Sequence, residues 1–97
     1  MTPADFAAAL SRTRMQPEGR GTQGARLVLI DGLSNSEAGR RVGSTPESVR
    51  LAVARVRAAY RDMQGLPSHW ACLTVALPAD REMELHDAVA ALGGRLL

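Results

Sequence analysis

The sequence predicts a mostly α-helical protein, and three observations carry that expectation. Of its 97 residues only Phe6, Tyr60 and Trp70 are aromatic, while alanine, leucine, valine and arginine dominate, a composition that suits helices packed through small residues better than a β-sandwich. Serine and threonine caps, prolines and glycines recur at helix-length intervals. Only one stretch alternates with the period of a strand. The length excludes doubly wound sheets and barrels, and so short a chain has little core of its own, which a second copy can supplement.

Thr2-Pro3-Ala4-Asp5 reads as the start of a first helix, with Thr2 as cap, Pro3 in the first turn and Asp5 reaching back to the cap. Phe6, Ala9 and Leu10 share a face, and the helix runs to about Ser11. Pro17, Gly19, Gly21 and Gly24 make residues 12 to 24 a loop or a weakly helical connection. A second helix begins at Thr22 or Ala25, offers Leu27, Val28 and Ile30 to a core and runs through Asp31 to a stop at Gly32. Ser34-Asn35-Ser36-Glu37 is a capping box for a short third helix that buries Ala38 and Val42 and ends at Gly43. Ser44-Thr45-Pro46-Glu47 opens a fourth, with a hydroxyl cap, a proline in the first turn and a glutamate three residues past Ser44. Its stripe is Val49, Val53, Val56, Tyr60 and Met63, flanked by Ala52 and Ala59, and Gly65-Leu66-Pro67 stops it.

The remainder has a different texture. From Trp70 to Leu77 the side chains alternate, with Leu73, Val75 and Leu77 on one face and Trp70, Cys72, Thr74 and Ala76 on the other, and a last helix from Ala79 to Leu92 carries Leu85, Ala88, Val89 and Leu92 on one side. A lone strand leaves backbone donors and acceptors without partners. Two copies pairing antiparallel across a two-fold axis solve that problem, each last helix covering the ribbon. The alternative is an irregular segment docked on the chain's own helices. The expected division is therefore a helical domain over residues 1–65 and a strand-helix dimerisation region over 66–97, whose contact residues are Trp70, Cys72, Leu73, Thr74, Val75, Leu77, Leu85, Val89 and Leu92.

A formal net charge of +2 conceals a division. Residues 33 to 61 carry six arginines against Glu37 and Glu47, a balance of +4, whereas residues 62 to 97 carry two against five carboxylates, a balance of −3. A basic centre beside an acidic tail points to two tasks, the centre facing a polyanion. All 12 basic residues are arginine. Guanidinium forks match phosphate and the guanine edge, though a GC-rich genome favours arginine equally well. Cys72 is the sole cysteine, so no intrachain disulfide or cysteine-based zinc site forms, and no segment resembles a signal peptide or a membrane span. The expectation is a soluble cytoplasmic protein that uses no cofactor or metal.

Two short helices joined by a glycine turn, the second longer and opened by a cap and a proline, describe a helix-turn-helix at about 34–63. Ala38 and Gly39 are small where the helices approach, Gly43 permits a left-handed turn and Val49 anchors the second helix. Removing the core stripe leaves Thr45, Pro46, Glu47, Ser48, Arg50, Leu51, Ala54, Arg55 and Arg57 outward. Arg50 lies in the first two turns, where a guanidinium reaches guanine bidentately, Thr45 and Ser48 offer hydroxyls to phosphate or bases, and Leu51 suits a thymine methyl. The helix N-terminus favours a phosphate. Arg55 and Arg57 sit farther along, for phosphate contact or a structural ion pair; Arg40 and Arg41 are backbone clamps or a solvated face.

The stretch Ala25-Arg26-Leu27-Val28-Leu29-Ile30-Asp31-Gly32, followed by Val42-Gly43, Val49, Ala52-Val53, Arg55-Val56, Ala58-Ala59-Tyr60, Leu66-Pro67 and Thr74-Val75-Ala76-Leu77-Pro78, resembles the TrfB/KorA family of plasmid transcriptional repressors. The likeness spans roughly residues 22 to 85 and, weakly, the first helix. It implies a bacterial homodimeric repressor that binds palindromic operators through the helix-turn-helix and dimerises through the C-terminal strand and helix, with a second regulator or co-repressor as a further partner. Arg55 matches an arginine of the family's best-known member. Pro46 and Leu51 replace polar base-reading side chains and the acidic tail replaces a lysine-rich one, so the resemblance implies a different operator, on a plasmid, phage or other mobile element.

An enzyme is the weakest reading. His69 and His86 are lone imidazoles, Asp80, Glu84 and Asp87 form a metal cluster only if the last helix turns them inward, and Cys72 has no activating base. The alternative to DNA binding is a protein-protein interaction module, for which exposed leucine or methionine would replace Arg50, Thr45 and Ser48 on the outward face.

Overall fold

A computed structural model describes residues 1–73 and 75–96. The chain is mostly α-helical, with α1 (Pro3–Ser11), α2 (Arg20–Leu29), α3 (Asn35–Val42), α4 (Pro46–Met63), a 3-10 turn (Ala79–Arg81) and α5 (Glu82–Ala91). Local chemistry sets most of these limits. The Thr2 hydroxyl accepts the Asp5 amide at 3.1 Å to open α1, and the Ser34 hydroxyl accepts the Glu37 amide at 3.1 Å to open α3. α4 begins on Thr45, whose hydroxyl accepts the Ser48 amide at 3.1 Å, while the Ser44 amide donates to the Gly39 carbonyl at 2.8 Å and so belongs to the preceding turn. Glu47 is thereby the second residue of α4 and pairs along the helix with Arg50.

α2 starts at Arg20, earlier than either predicted start, and ends at Leu29, before Asp31. Its cap is Gly19, which has no side chain to announce it. The first turn is held instead by buried Thr22, whose hydroxyl donates to the Gln16 carbonyl at 2.5 Å and so meets its hydrogen-bonding need inside the fold. Gly32, at φ +77°, turns the chain toward α3.

α4 is the centre of the fold, and α1, α2 and α3 all pack on it. Val49, Ala52, Val53, Val56 and Ala59 are buried at helical spacing against Phe6, Leu10, Ala25 and Leu29. Tyr60 and Met63 continue the stripe at half-burial. Small residues bring the helices close. A methyl group added at Gly24 of α2 would lie 3.0 Å from Val49 Cγ2, closer than ordinary packing admits.

The tail differs from its predicted form. The described residues of Trp70–Leu77 form no strand in the single chain, because a strand exists only by pairing and none of the described residues lies alongside to pair with it. Ser68 to Leu73 instead run irregularly beside α4, where Arg61 Nη1 donates to the Trp70 carbonyl at 3.4 Å. α5 packs chiefly on the 3-10 turn before it, and no described residue beyond Ala59 is buried. Trp70, Cys72, Leu85 and Val89 are half-buried, while Leu73, Val75, Leu77 and Leu92 are exposed; Thr74, expected in the same set, lies outside the described residues.

Candidate nucleic-acid interface

The angle between α3 and α4 rests on one contact. Gly43 adopts φ +69°, the left-handed conformation that lets α3 end and the chain reverse. Gly39, one turn earlier, lies against the backbone of the linker: a β-carbon there would meet the Ser44 carbonyl oxygen at 2.9 Å and the Thr45 carbonyl carbon at 3.2 Å. Those neighbours are main chain and have no rotamer with which to yield. Glycine at 39 is what allows α4 to leave the turn so close to α3.

Held at that angle, α4 presents Thr45, Pro46, Glu47, Ser48, Arg50, Leu51, Ala54 and Arg55 to solvent on one continuous surface, with Arg57 half-buried at its edge. Arg40 and Arg41 on α3 are exposed as well. The predicted set is therefore gathered on α4 and the adjoining end of α3, with Leu51 the large apolar side chain left in the open at 48% exposure. Thr45 is occupied as a cap acceptor, yet its hydroxyl proton remains free to be donated.

What the arginines touch divides them. Arg50 Nε and Nη2 donate to both carboxylate oxygens of Glu47, at 2.9 and 2.5 Å. Arg40 and Arg41 both converge on Glu37, Arg41 Nε at 3.4 Å from it. The Arg40 guanidinium, helped by Arg41, holds the Glu37 carboxyl below its ordinary pKa; the Arg50 hydrogen bonds do the same for Glu47, which in turn raises Arg50. Elsewhere Arg20 donates to the Gly43 carbonyl at 3.2 Å, Arg26 lies 5.2 Å from the centre of the Phe6 ring, Arg61 lies 3.9 Å from Asp62, Arg81 pairs with Glu84 at 2.8 Å and Arg95 donates to the Gln64 carbonyl at 2.9 Å. The guanidinium groups of Arg12, Arg14, Arg55 and Arg57 make no hydrogen bond, ion pair or ring contact with the described residues, and Arg26 has only its ring contact.

Two open clefts flank the exposed ridge of α4. One, of about 790 Å³, is walled by Arg12 to Met15 on one side and by Arg55, Ala58 and Asp62 of α4 on the other. The second, of about 580 Å³, lies between Arg50, Ala54 and Arg57 of α4 and the tail segment Ser68–Leu73. Arg57 thus faces the tail as much as the open surface. The company of Arg55 was not foreseen from sequence, although one sign of it is there: the nearest carboxylate following Arg12 and Arg14 is Glu18, beyond Pro17, where no helix can align it with them.

No group of three or more His, Cys, Asp or Glu capable of holding a metal occurs among the described residues, and none of their helices is long and apolar enough to cross a membrane. Neither a protein-family model nor a curated protein matches the chain.

Proposed function

We propose that the protein is a sequence-specific double-stranded-DNA-binding transcriptional repressor, acting as a homodimer on a palindromic operator of a mobile element. The observation that carries this reading is the α3-turn-α4 unit: a glycine-fixed angle from which a long helix presents hydroxyls, a leucine and arginines on one uncluttered face. The resemblance to the TrfB/KorA repressors in residues 22 to 85 points the same way. Arg50 takes the part of base reader by exchanging Glu47 for a guanine edge; a surface ion pair between two solvated side chains is weak enough to be released. Arg55 is already free to contact DNA.

Dimerisation supplies what the tail lacks. Leu73, Val75 and Leu92 leave apolar surface in water, and an antiparallel ribbon of two Trp70–Leu77 segments, covered by α5, removes it while pairing their backbones. A dimer presents two α4 helices, which a palindrome with half-sites about one helical turn apart accommodates.

In-vitro selection from a randomised duplex pool with the purified protein tests the reading. Enrichment of one inverted repeat is expected. Arg50→Ala should then weaken that site roughly 10- to 100-fold while sparing random duplex. A pool that remains random, with no duplex retained at low salt, rejects DNA recognition in favour of a protein-docking role for α4.

A further inference from the structure

We infer that Arg12 and Arg14, with Arg55, form a clamp for the DNA backbone beside α4, a phosphate site outside the helix-turn-helix. The inference rests on the DNA-binding reading and adds to it a second surface contributed by the α1–α2 connection.

The first support is the state of the charges. Arg40, Arg41 and Arg50, three of the five arginines that sequence places on the recognition unit, are each paired with Glu37 or Glu47, and a paired guanidinium must lose a partner to gain a phosphate. Arg12, Arg14 and Arg55 have no such partner to lose. All three wall the same cleft. The one carboxylate there, Asp62, lies 3.9 Å from Arg61 Nε, so its charge is shared with a cation outside the cleft. The cleft therefore gathers three guanidinium groups without ion-pair partners against one shared carboxylate.

Its position is the second support. The cleft runs along the flank of α4 that carries Arg55, which follows Ala54 and lies one helical turn beyond exposed Leu51. A helix seated in a major groove has a phosphate backbone along each flank. The opposite flank, holding Arg50 and Arg57, is partly occupied by Ser68–Leu73. The open flank is the one lined with free arginines, and an open trough with three guanidinium groups fits a run of phosphates better than an enclosed ligand pocket would.

Counterion release gives the test. Binding of the full-length protein to a random-sequence duplex is followed by anisotropy across a salt series, for wild type, Arg12→Ala/Arg14→Ala, the corresponding double lysine variant, and Arg81→Ala as a tail control. The alanine pair should flatten the log affinity against log salt slope by about one per arginine removed in each subunit, and lower affinity alike for random and selected duplexes. The lysine pair should restore the slope, since it keeps the charge, and Arg81→Ala should leave it unchanged. Helical circular dichroism equal to wild type establishes that the variants are folded. If wild type binds duplex and the alanine pair keeps its slope, the clamp is wrong and the DNA reading stands; an anionic small molecule as the natural occupant of the cleft would give that same unchanged slope. If wild type binds no duplex at any salt, the DNA reading itself fails and the clamp fails with it.

Discussion

The helical unit of residues 1–65 and the tail of residues 66–97 are both rich in apolar side chains, yet only the first hides them. Phe6, Val49 and Val56 are nearly inaccessible to water, whereas Leu73, Met83 and Leu92 are 70%, 70% and 87% exposed. What separates the two regions is the number of faces available. Four helices offer four stripes that cover one another, and α4 satisfies three partners at once. One irregular segment and one helix cannot enclose a core between them. A chain this small thus encloses a core at one end and leaves apolar side chains in the open at the other.

The largest effect that would test this contrast is in the core. Phe6→Ala should cost about 3–5 kcal/mol in chemical denaturation, because α1, α2 and α4 cannot collapse around so large a void. Leu92→Ala should change the unfolding free energy of the dilute chain by less than about 0.5 kcal/mol and instead raise the dissociation constant of the proposed dimer in sedimentation. A large loss of dilute-chain stability from Leu92→Ala would erase the distinction between the two regions. Next comes Gly39→Ala, expected to cost about 1–3 kcal/mol as the new methyl group meets the Ser44 carbonyl, and to abolish site-specific binding while the remaining helices persist. Loss of a cap is smaller: Ser34→Ala should cost about 1 kcal/mol, read from the urea midpoint at unchanged slope.

The smallest effect is in pH. Glu37 and Glu47 are held below their ordinary pKa by Arg40 and Arg50, so the stability they contribute is present above the unfolded value of about 4.3 and is lost as pH falls through the lower folded value. Both carboxylates are solvent-exposed and screened, which keeps the effect slight. Comparing thermal midpoints of wild type and Glu37→Gln at neutral and acid pH should show the difference between them shrinking in acid.

How much was legible in the sequence follows the same boundary. α1, α3 and α4 announce themselves because their caps are side chains of the sequence itself, and Thr2, Ser34 and the stripe from Val49 to Met63 act within a turn or two of their own positions. The start of α2 does not, since Gly19 carries no signal and the Thr22 hydroxyl finds its acceptor only after Pro17 has turned the chain. Alternation in Trp70–Leu77 is visible, but whether alternation becomes a strand depends on a neighbour that none of the described residues supplies. On α4, the outward set could be deduced by subtracting the core. The charge state of that set could not, because Glu47 looked like a cap partner for Ser44 and is in fact a clasp on Arg50.

The nearest atoms at the Gly39 approach are main chain of residues 44 to 46. Exchanges among the outward side chains, such as Glu47, Arg50, Leu51 and Ala54, do not touch that contact, so the chemistry of the exposed face can change while its pitch against the fold stays constant. Variants of this chain with a different outward face therefore need no adjustment of the turn that sets the angle of α4.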